Sequence, residues 1–112
     1  GDPMAELEGE AGAKVVVETR TDQAGSTIVS LAGELDSANA DALDASLAPL
    51  TKERSAELIF DLSALRFMDS AGIAVLLGVA ARVSAVRLRD PSPAVRRVIE
   101  LTGLTDVLRT ES

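Results

Sequence analysis

The 112-residue chain contains no cysteine, no histidine, no tryptophan and no tyrosine, and it has only two phenylalanines. Without cysteine, a disulfide framework, a thiol nucleophile and a thiolate metal site are excluded. Without histidine, the commonest general base and transition-metal ligand is missing, so a serine hydrolase triad of the usual kind cannot be assembled. We therefore expect no catalytic residue and no bound metal.

Concentrated positive charge is also missing. The formal net charge is −7, and the basic residues are spread along the chain apart from Arg87, Arg89, Arg96 and Arg97. Nucleic-acid binding needs clustered positive charge and usually stacking aromatics, so we expect no nucleic-acid partner. We interpret the four arginines as solvated rims of a strand and a helix. Binding of a small anion or of an acidic patch on a partner is the alternative.

Long apolar runs are absent as well. The most apolar stretch is bounded by Arg66 and Asp69 on one side and by Arg82 on the other, so it is too short to span a membrane. The N-terminal residues lack the basic start and apolar middle of a signal peptide. We therefore expect a cytoplasmic protein with no membrane partner.

The first thirteen residues have the composition of a tail. Gly1-Asp2-Pro3 before Met4 indicates a cloning remnant, with Met4 as the native start. Residues 5–13 carry three glutamates and two glycines, a composition that predicts a disordered acidic tail. Residues 14–112 then form one domain, because the length and the 46% hydrophobic content suit a single core.

Strand patterns and helix patterns alternate along that domain. The β-branched runs at 15–17 and 27–31 predict an antiparallel pair. Leucines at 43, 47 and 50 predict an amphipathic helix over 38–50, with Ser37 near its cap. The apolar residues 58–62 predict a buried central strand, followed by a helix from Ser70 to about Arg82.

The C-terminal third continues the alternation. Residues 86–89 predict a strand with one wetter face. Ser92, Pro93 and Gly103 frame a final helix, and residues 104–109 can add a last strand. The fold class is α/β: a single domain with a mixed, mostly parallel sheet of four to five strands and helices packed against it.

The most informative segment for function is Phe67-Met68-Asp69-Ser70-Ala71-Gly72, which opens a nearly all-apolar helix. A helix N-terminus gathers unpaired N–H groups and the positive end of the dipole, so it can hold a hydroxyl and later an anionic group on it. Ser70 is therefore a candidate phosphorylation site. The alternative, which the local sequence favours, is that Asp69 or Ser70 is only the helix cap.

This segment, with Gly33-Glu34-Leu35-Asp36 before it and Ser92-Pro93-Ala94-Val95 after it, resembles the STAS domain family, specifically the bacterial anti-sigma factor antagonists. The resemblance implies partner switching. The unphosphorylated protein would bind an anti-sigma factor with serine-kinase activity and free a sigma factor, and phosphorylation of Ser70 would release it. A serine phosphatase would reset the switch. The kinase supplies ATP and magnesium, so no cofactor is expected.

The resemblance also implies which residues bind the partner: Asp36, Ser37, Asp69, Ser70, Ala71 and Gly72. Asp36 follows one parallel strand and Asp69 follows another, so the two share one surface if those strands are neighbours. Asp36 could equally cap the first helix. The family often carries a second serine where this chain has Ala71, which leaves Ser70 as the single acceptor in the motif.

The alternative functions are a receiver domain, a nucleotide hydrolase and a STAS scaffold. Asp61 on a central strand suggests a receiver domain, but no acidic pair follows the first strand and the only lysines are Lys14 and Lys52. A nucleotide hydrolase lacks its phosphate-binding Gly-x-x-x-x-Gly-Lys loop, so we expect the chain not to be an enzyme. The third alternative keeps the STAS fold but makes the protein a scaffold or accessory subunit of a stress-signalling or lipid-transport complex.

Overall fold

The computed structural model describes residues 4–8, 13–52, 57–102 and 109–111. The strands and helices follow one another in the order β1 (Met4–Glu8), β2 (Lys14–Thr21), β3 (Thr27–Leu35), α1 (Ala40–Leu47), a short 3-10 helix (Ala48–Thr51), β4 (Glu57–Met68), α2 (Ser70–Ala80), β5 (Ala85–Arg89), α3 (Pro93–Leu101) and β6 (Arg109–Glu111).

These strands form one mixed sheet in which spatial order equals chain order. The sheet runs β1-β2-β3-β4-β5-β6. The β1–β2 and β2–β3 pairs are antiparallel, whereas β3–β4, β4–β5 and β5–β6 are parallel. The predicted α/β class and the mixed, mostly parallel sheet are confirmed. Two short edge strands, β1 and β6, bring the described total to six.

The main hydrophobic cluster lies on one face of the sheet. Alternate residues of the central strands are buried there, such as Phe60 of β4 and Leu88 of β5, together with the apolar faces of all three helices. A sequential strand order with right-handed crossovers places every helix on the same side. The intervening residues, including Arg87 and Arg89, point to the opposite face. The sheet therefore separates these arginines from Arg96 and Arg97 of α3.

Part of the stretch predicted to be a disordered tail, residues 4–8, forms a strand in the structure. Met4–Glu8 form β1 and pair with β2 from Met4↔Glu18 to Glu8↔Lys14. The reason is an alternation that composition hides: Leu7 packs against the core, whereas Glu6 is exposed and forms an ion pair with Lys14. The predicted remnant at 1–3 and residues 9–12 lie outside the described residues.

Strand β4 is much longer than the predicted 58–62 and reaches Met68 without a turn. Its pairing with β3 shifts between Ser30 and Ala32 and again between Gly33 and Glu34. Each shift inserts one extra residue into β4, which interrupts the alternation of its side chains between the two faces of the sheet. As a result Met68 is buried as predicted, but Phe67, also predicted to be core, is 48% exposed.

Helix boundaries differ modestly from the prediction. Helix α1 begins at Ala40 and passes into the 3-10 helix at Ala48, where Pro49 removes a backbone donor. Helix α2 ends at Ala80, and the Arg82 guanidinium beyond it donates to the Asp44 carboxylate of α1 at 2.8 Å. Among the described helices the longest has 11 residues, too few to cross a bilayer.

Helix α3 has the cap predicted for it. The Ser92 hydroxyl accepts from the Val95 N–H and donates to the Leu65 carbonyl at 2.8 Å, which ties the helix start to β4. Pro93 occupies the first turn. Gly103, the predicted stop signal, lies outside the described residues, as does most of the predicted last strand at 104–109; β6 occupies Arg109–Glu111.

Candidate phosphoacceptor and partner-binding site

The ends of two neighbouring parallel strands create the site. Leu35 ends β3, Met68 ends β4, and the two residues pair in register. Asp36 and Asp69 therefore leave the sheet side by side, and the Asp69 N–H donates to the Leu35 carbonyl at 3.2 Å. The structure brings together the two loops that the sequence placed on one surface, because β3 and β4 are neighbours.

Asp69 is the cap of helix α2. Its backbone is extended, and its carboxylate accepts hydrogen bonds from the Ala71 N–H at 2.9 Å and the Gly72 N–H at 3.4 Å. Ser70 is the first residue of the helix and is exposed. Within the part of the chain that the structure describes, its hydroxyl has no hydrogen-bond partner. The cap and the exposed hydroxyl thus belong to different residues.

The sequence predicted that the N–H groups of the helix start could hold an anionic group on Ser70. Two of those N–H groups already donate to the Asp69 carboxylate, which also places a negative charge beside the hydroxyl. A phosphate on Ser70 would therefore share the helix start with the Asp69 carboxylate.

Gly72 allows the start of α2 to pack closely against the sheet. A Cβ at this position would collide with the Met68 side chain and would lie 2.9 Å from the Leu35 Cδ2 atom. The sequence interpretation of Gly72 as a site of close approach is confirmed, and the neighbour is the pair of strand ends. Gly72 is buried, so it shapes the site from beneath.

Residues 36–39, which we call the Asp36 loop, form a second capped helix start. The Asp36 carboxylate accepts from the Ala38 N–H at 2.9 Å and the Asn39 N–H at 3.2 Å. The Asn39 side-chain oxygen accepts in return from the Asp36 N–H at 2.9 Å. The Asp36 carboxylate therefore caps the turn that leads into α1, whereas Asn39, the residue next to the helix, makes no side-chain cap bond to it. Ser37, expected near the cap, is exposed.

Sequence reasoning missed Asn39. Its side chain is fully buried, and its Nδ2 group donates to the Glu34 carbonyl at 3.0 Å and the Leu7 carbonyl at 3.3 Å. The detectable signal was the spacing of Asp36 and Asn39, three residues apart immediately before a helical pattern, which is the spacing of a reciprocal cap. The residue also bonds to β1, which no local pattern shows.

A cleft between α1 and α2 continues the site. It has a volume of about 320 Å³ and is lined by residues that include Ser37, Asp41, Asp44, Ala71 and Ala74. Two of these, Ser37 and Ala71, belong to the predicted partner-binding set. The cleft thus begins beside Ser37 and Ala71, next to Ser70 in the chain, and continues along α2 as far as Arg82.

Asp61 lies elsewhere. It sits on the face of β4 opposite the described helices, well before the strand ends at Met68, which differs from the strand-end position a receiver domain would need. Partial burial raises the pKa of Asp61, but hydrogen bonds from Ser63 and the charges of Arg20 and Arg89 outweigh it and hold the pKa below its ordinary value. Asp61 is a stably ionised structural carboxylate.

Comparison with known proteins identifies the fold. The family model described as the STAS domain matches residues 14–112. The chain belongs to the STAS domain family. Within the family it is 33% identical over 84 residues to an anti-sigma-B factor antagonist of Bacillus subtilis, covering 71% of this chain and 76% of that protein. It is 30% identical over 89 residues to an anti-sigma F factor antagonist of Paenibacillus polymyxa, covering 75% and 76%.

Solved structures agree with this STAS assignment. The chain superposes on an anti-sigma factor antagonist from Mycobacterium paratuberculosis with a TM-score of 0.76 and 29% identity, covering 86% of this chain and 84% of that one. The fold is also that of SpoIIAA, an anti-sigma factor antagonist solved in its unphosphorylated form. That likeness has a TM-score of 0.71 and 24% identity over 86% of this chain and 88% of SpoIIAA.

Proposed function

We propose that this STAS domain is an anti-sigma factor antagonist that acts by partner switching, with Ser70 as the phosphorylated residue. In this function the unphosphorylated protein binds an anti-sigma factor with serine-kinase activity and so frees a sigma factor. Phosphorylation releases the protein, and a serine phosphatase restores it. The observation that carries the proposal is the exposed hydroxyl of Ser70 at the first position of α2, beside a cap supplied by another residue.

The proposed binding surface is the edge at which β3 and β4 end. Asp36, Ser37, Asp69, Ser70 and Ala71 lie on or beside this edge, and Gly72 supports it from beneath. Both loops are held by their own side-chain hydrogen bonds, so the surface is formed before a partner arrives. A preorganised surface loses less conformational entropy on binding, which favours affinity.

Release follows from where the phosphate would lie. A phosphoserine carries about −1.5 to −2 charges, and here it would project from an exposed position next to the Asp69 carboxylate. Because the Ala71 and Gly72 N–H groups already donate to the Asp69 carboxylate, fewer helix N–H groups are left for the dianion, which keeps its water or finds cations on the partner. A partner surface shaped for a neutral hydroxyl would have to desolvate that dianion, which is costly.

The chain itself supplies no catalysis in this mechanism. Its role is to be a substrate and a binding partner, and the kinase brings the nucleotide and the metal. Relatives named anti-sigma factor antagonists support this non-enzymatic role. The second candidate, a scaffold or accessory subunit of a stress-signalling or lipid-transport complex, uses the same fold with a different partner.

The decisive experiment is phosphorylation by the purified anti-sigma kinase. Ser70→Ala should abolish phosphate incorporation and bind the kinase constitutively, whereas Ser46→Ala, which changes an exposed serine of α1, should behave as the wild type. Incorporation at the wild-type level in Ser70→Ala would exclude the assignment. Recovery of a transporter complex instead of a kinase-like anti-sigma factor in a pull-down would favour the second candidate.

Asp36→Ala tests the other loop. Asp36 is only 8% exposed, so its carboxylate acts by holding the loop that contacts the partner. If both loops bind the partner, Asp36→Ala should lose more affinity or phosphorylation rate than its loss of stability explains. Affinity is measured by titration calorimetry and stability by urea unfolding on the same sample. A folded variant with wild-type affinity and rate would leave Asp36 with its capping role alone.

A further inference from the structure

The side chain of Asn39 joins three segments of backbone. Its oxygen accepts from the Asp36 N–H at 2.9 Å, and its nitrogen donates to the Glu34 carbonyl at 3.0 Å and the Leu7 carbonyl at 3.3 Å. The residue is fully buried. One amide therefore connects the end of β3, the Asp36 loop and the N-terminal strand β1.

These three bonds depend on one another. A buried amide that loses an acceptor leaves an unsatisfied donor, which costs more than the bond contributes when it is intact. The planar amide group also has a fixed geometry, so the two carbonyls that hold its nitrogen determine where its oxygen points. The position of that oxygen in turn fixes the Asp36 N–H, from which the loop begins.

Of the segments that Asn39 joins, strand β1 can detach most easily. It lies at the edge of the sheet, pairs with β2 alone, and is anchored to the core by the partly buried side chain of Leu7. Edge elements with few buried contacts open at a lower free-energy cost than central strands. When β1 leaves, Asn39 loses the Leu7 carbonyl.

We propose that Asn39 is a positioning residue that makes the partner-binding competence of the Asp36 loop depend on the docking of strand β1. The partner-binding half of this inference rests on the proposed function, whereas the coupling of β1 to the loop is a property of the chain alone. Anything that detaches β1 would weaken partner binding although β1 lies outside the proposed binding surface.

Substitutions at Asn39 and Leu7, with a control at Ile99, test the coupling in the 112-residue chain. Asn39→Asp retains an oxygen acceptor for the Asp36 N–H and removes both donated bonds. Leu7→Asp leaves Asn39 intact and destroys the apolar anchor of β1, and Leu7→Ala is the milder form if Leu7→Asp does not fold. Ile99→Val, a buried change on α3, is the control for a general loss of stability.

The first readout is amide hydrogen exchange on the protein without a partner. The Leu7 variant should speed exchange of the Asp36 and Ala38 N–H groups by about tenfold, the scale of one hydrogen bond. Asn39→Asp should speed amide exchange by a similar factor, both in the Asp36 loop and in β1. Ile99→Val should leave both segments unchanged relative to the rest of the protein. Faster exchange in β1 with wild-type exchange in the loop would overturn the coupling.

The second readout is the Kd for the purified anti-sigma factor. Both test variants should bind about tenfold more weakly than the wild type, and Ile99→Val should bind normally. Normal binding by the test variants, with the loop shown to be loosened, would overturn the dependence of binding on β1. If the wild type binds no anti-sigma factor, the proposed function fails, and the exchange result still decides whether β1 and the loop are coupled.

Discussion

Asp69 and Ser70 are adjacent, yet the structure predicts that truncating them has very different effects on stability. Asp69→Ala removes the two hydrogen bonds that the carboxylate accepts from the Ala71 and Gly72 N–H groups. Ser70→Ala removes a hydroxyl with no hydrogen-bond partner in the described ranges. A third variant, Asp69→Asn, keeps a side-chain oxygen that can cap the helix and removes only the negative charge.

The expected sizes follow from the contacts. Losing an N-cap side chain costs about 1 kcal/mol, and losing a negative charge at a helix N-terminus costs a further 0.3–1 kcal/mol or so. Asp69→Ala should therefore lower the free energy of unfolding by about 1–2 kcal/mol. Asp69→Asn should lose only the charge contribution. Ser70→Ala should stay within about 0.5 kcal/mol of the wild type, as an exposed surface change does.

Urea unfolding followed by far-UV circular dichroism measures all three variants. Repeating the series at about 1 M salt, where charges are screened within about 3 Å, should shrink the deficit of Asp69→Asn and leave most of that of Asp69→Ala. The reasoning is refuted if Ser70→Ala loses as much stability as Asp69→Ala. That result would make the serine hydroxyl the cap and remove the argument that it is free for modification.

Three further predictions concern other parts of the site and the sheet. Gly72→Ala should cost about 1–3 kcal/mol because its Cβ meets Met68 and Leu35, whereas Gly78→Ala, with open space around it, should be neutral or stabilising; melting temperatures compare them. The pKa of Asp61 is lower in the folded protein than in the unfolded chain, where it is about 4. The carboxylate therefore stabilises the fold fully above that unfolded-state pKa, and this stabilisation is lost as the pH falls through the folded pKa. In urea titrations, the stability advantage of the wild type over Asp61→Asn should shrink below about pH 4. Phosphorylation of Ser70 should lower the melting temperature by about 10 °C without unfolding the domain. Two unit charges about 4 Å apart repel by about 1 kcal/mol in water, the dianion makes about two such pairs with Asp69, and each kcal/mol shifts the melting temperature by about 4–8 °C. A lost native spectrum would contradict release at the interface.

Local patterns predicted most of the fold. The alternating strands, the leucine spacing of α1 and the Ser92-Pro93 start of α3 are decided by neighbouring residues, so they could be read from the sequence. The exposure of Phe67 could not, because it depends on two register shifts between β3 and β4. Strand β1 was missed because its glutamates dominated the composition, while its alternation becomes visible only beside β2.

The meeting of the two loops at the candidate site could be predicted from the sequence, but the hydrogen bonds within them could not. Two acidic loops at the ends of parallel strands were expected to meet, and the pairing of Leu35 with Met68 makes them adjacent. Which of Asp69 and Ser70 caps α2 required coordinates, because both residue types cap helices well. The contact from Asn39 to the Leu7 carbonyl joins residues far apart in the chain, and no local rule predicts such a pair.

Because Asp69 caps α2 whereas Ser70 carries the exposed hydroxyl, positions 69 and 70 can evolve under different constraints. Position 69 is constrained by folding, since any residue that cannot cap α2 reduces stability. Position 70 is nearly free of that constraint, because its side chain supports nothing in the described structure. If Ser70 is the phosphorylated residue, as proposed, a lineage could lose or regain that control through one substitution at position 70 while the domain remained equally stable, so that regulation and folding are inherited as separate traits.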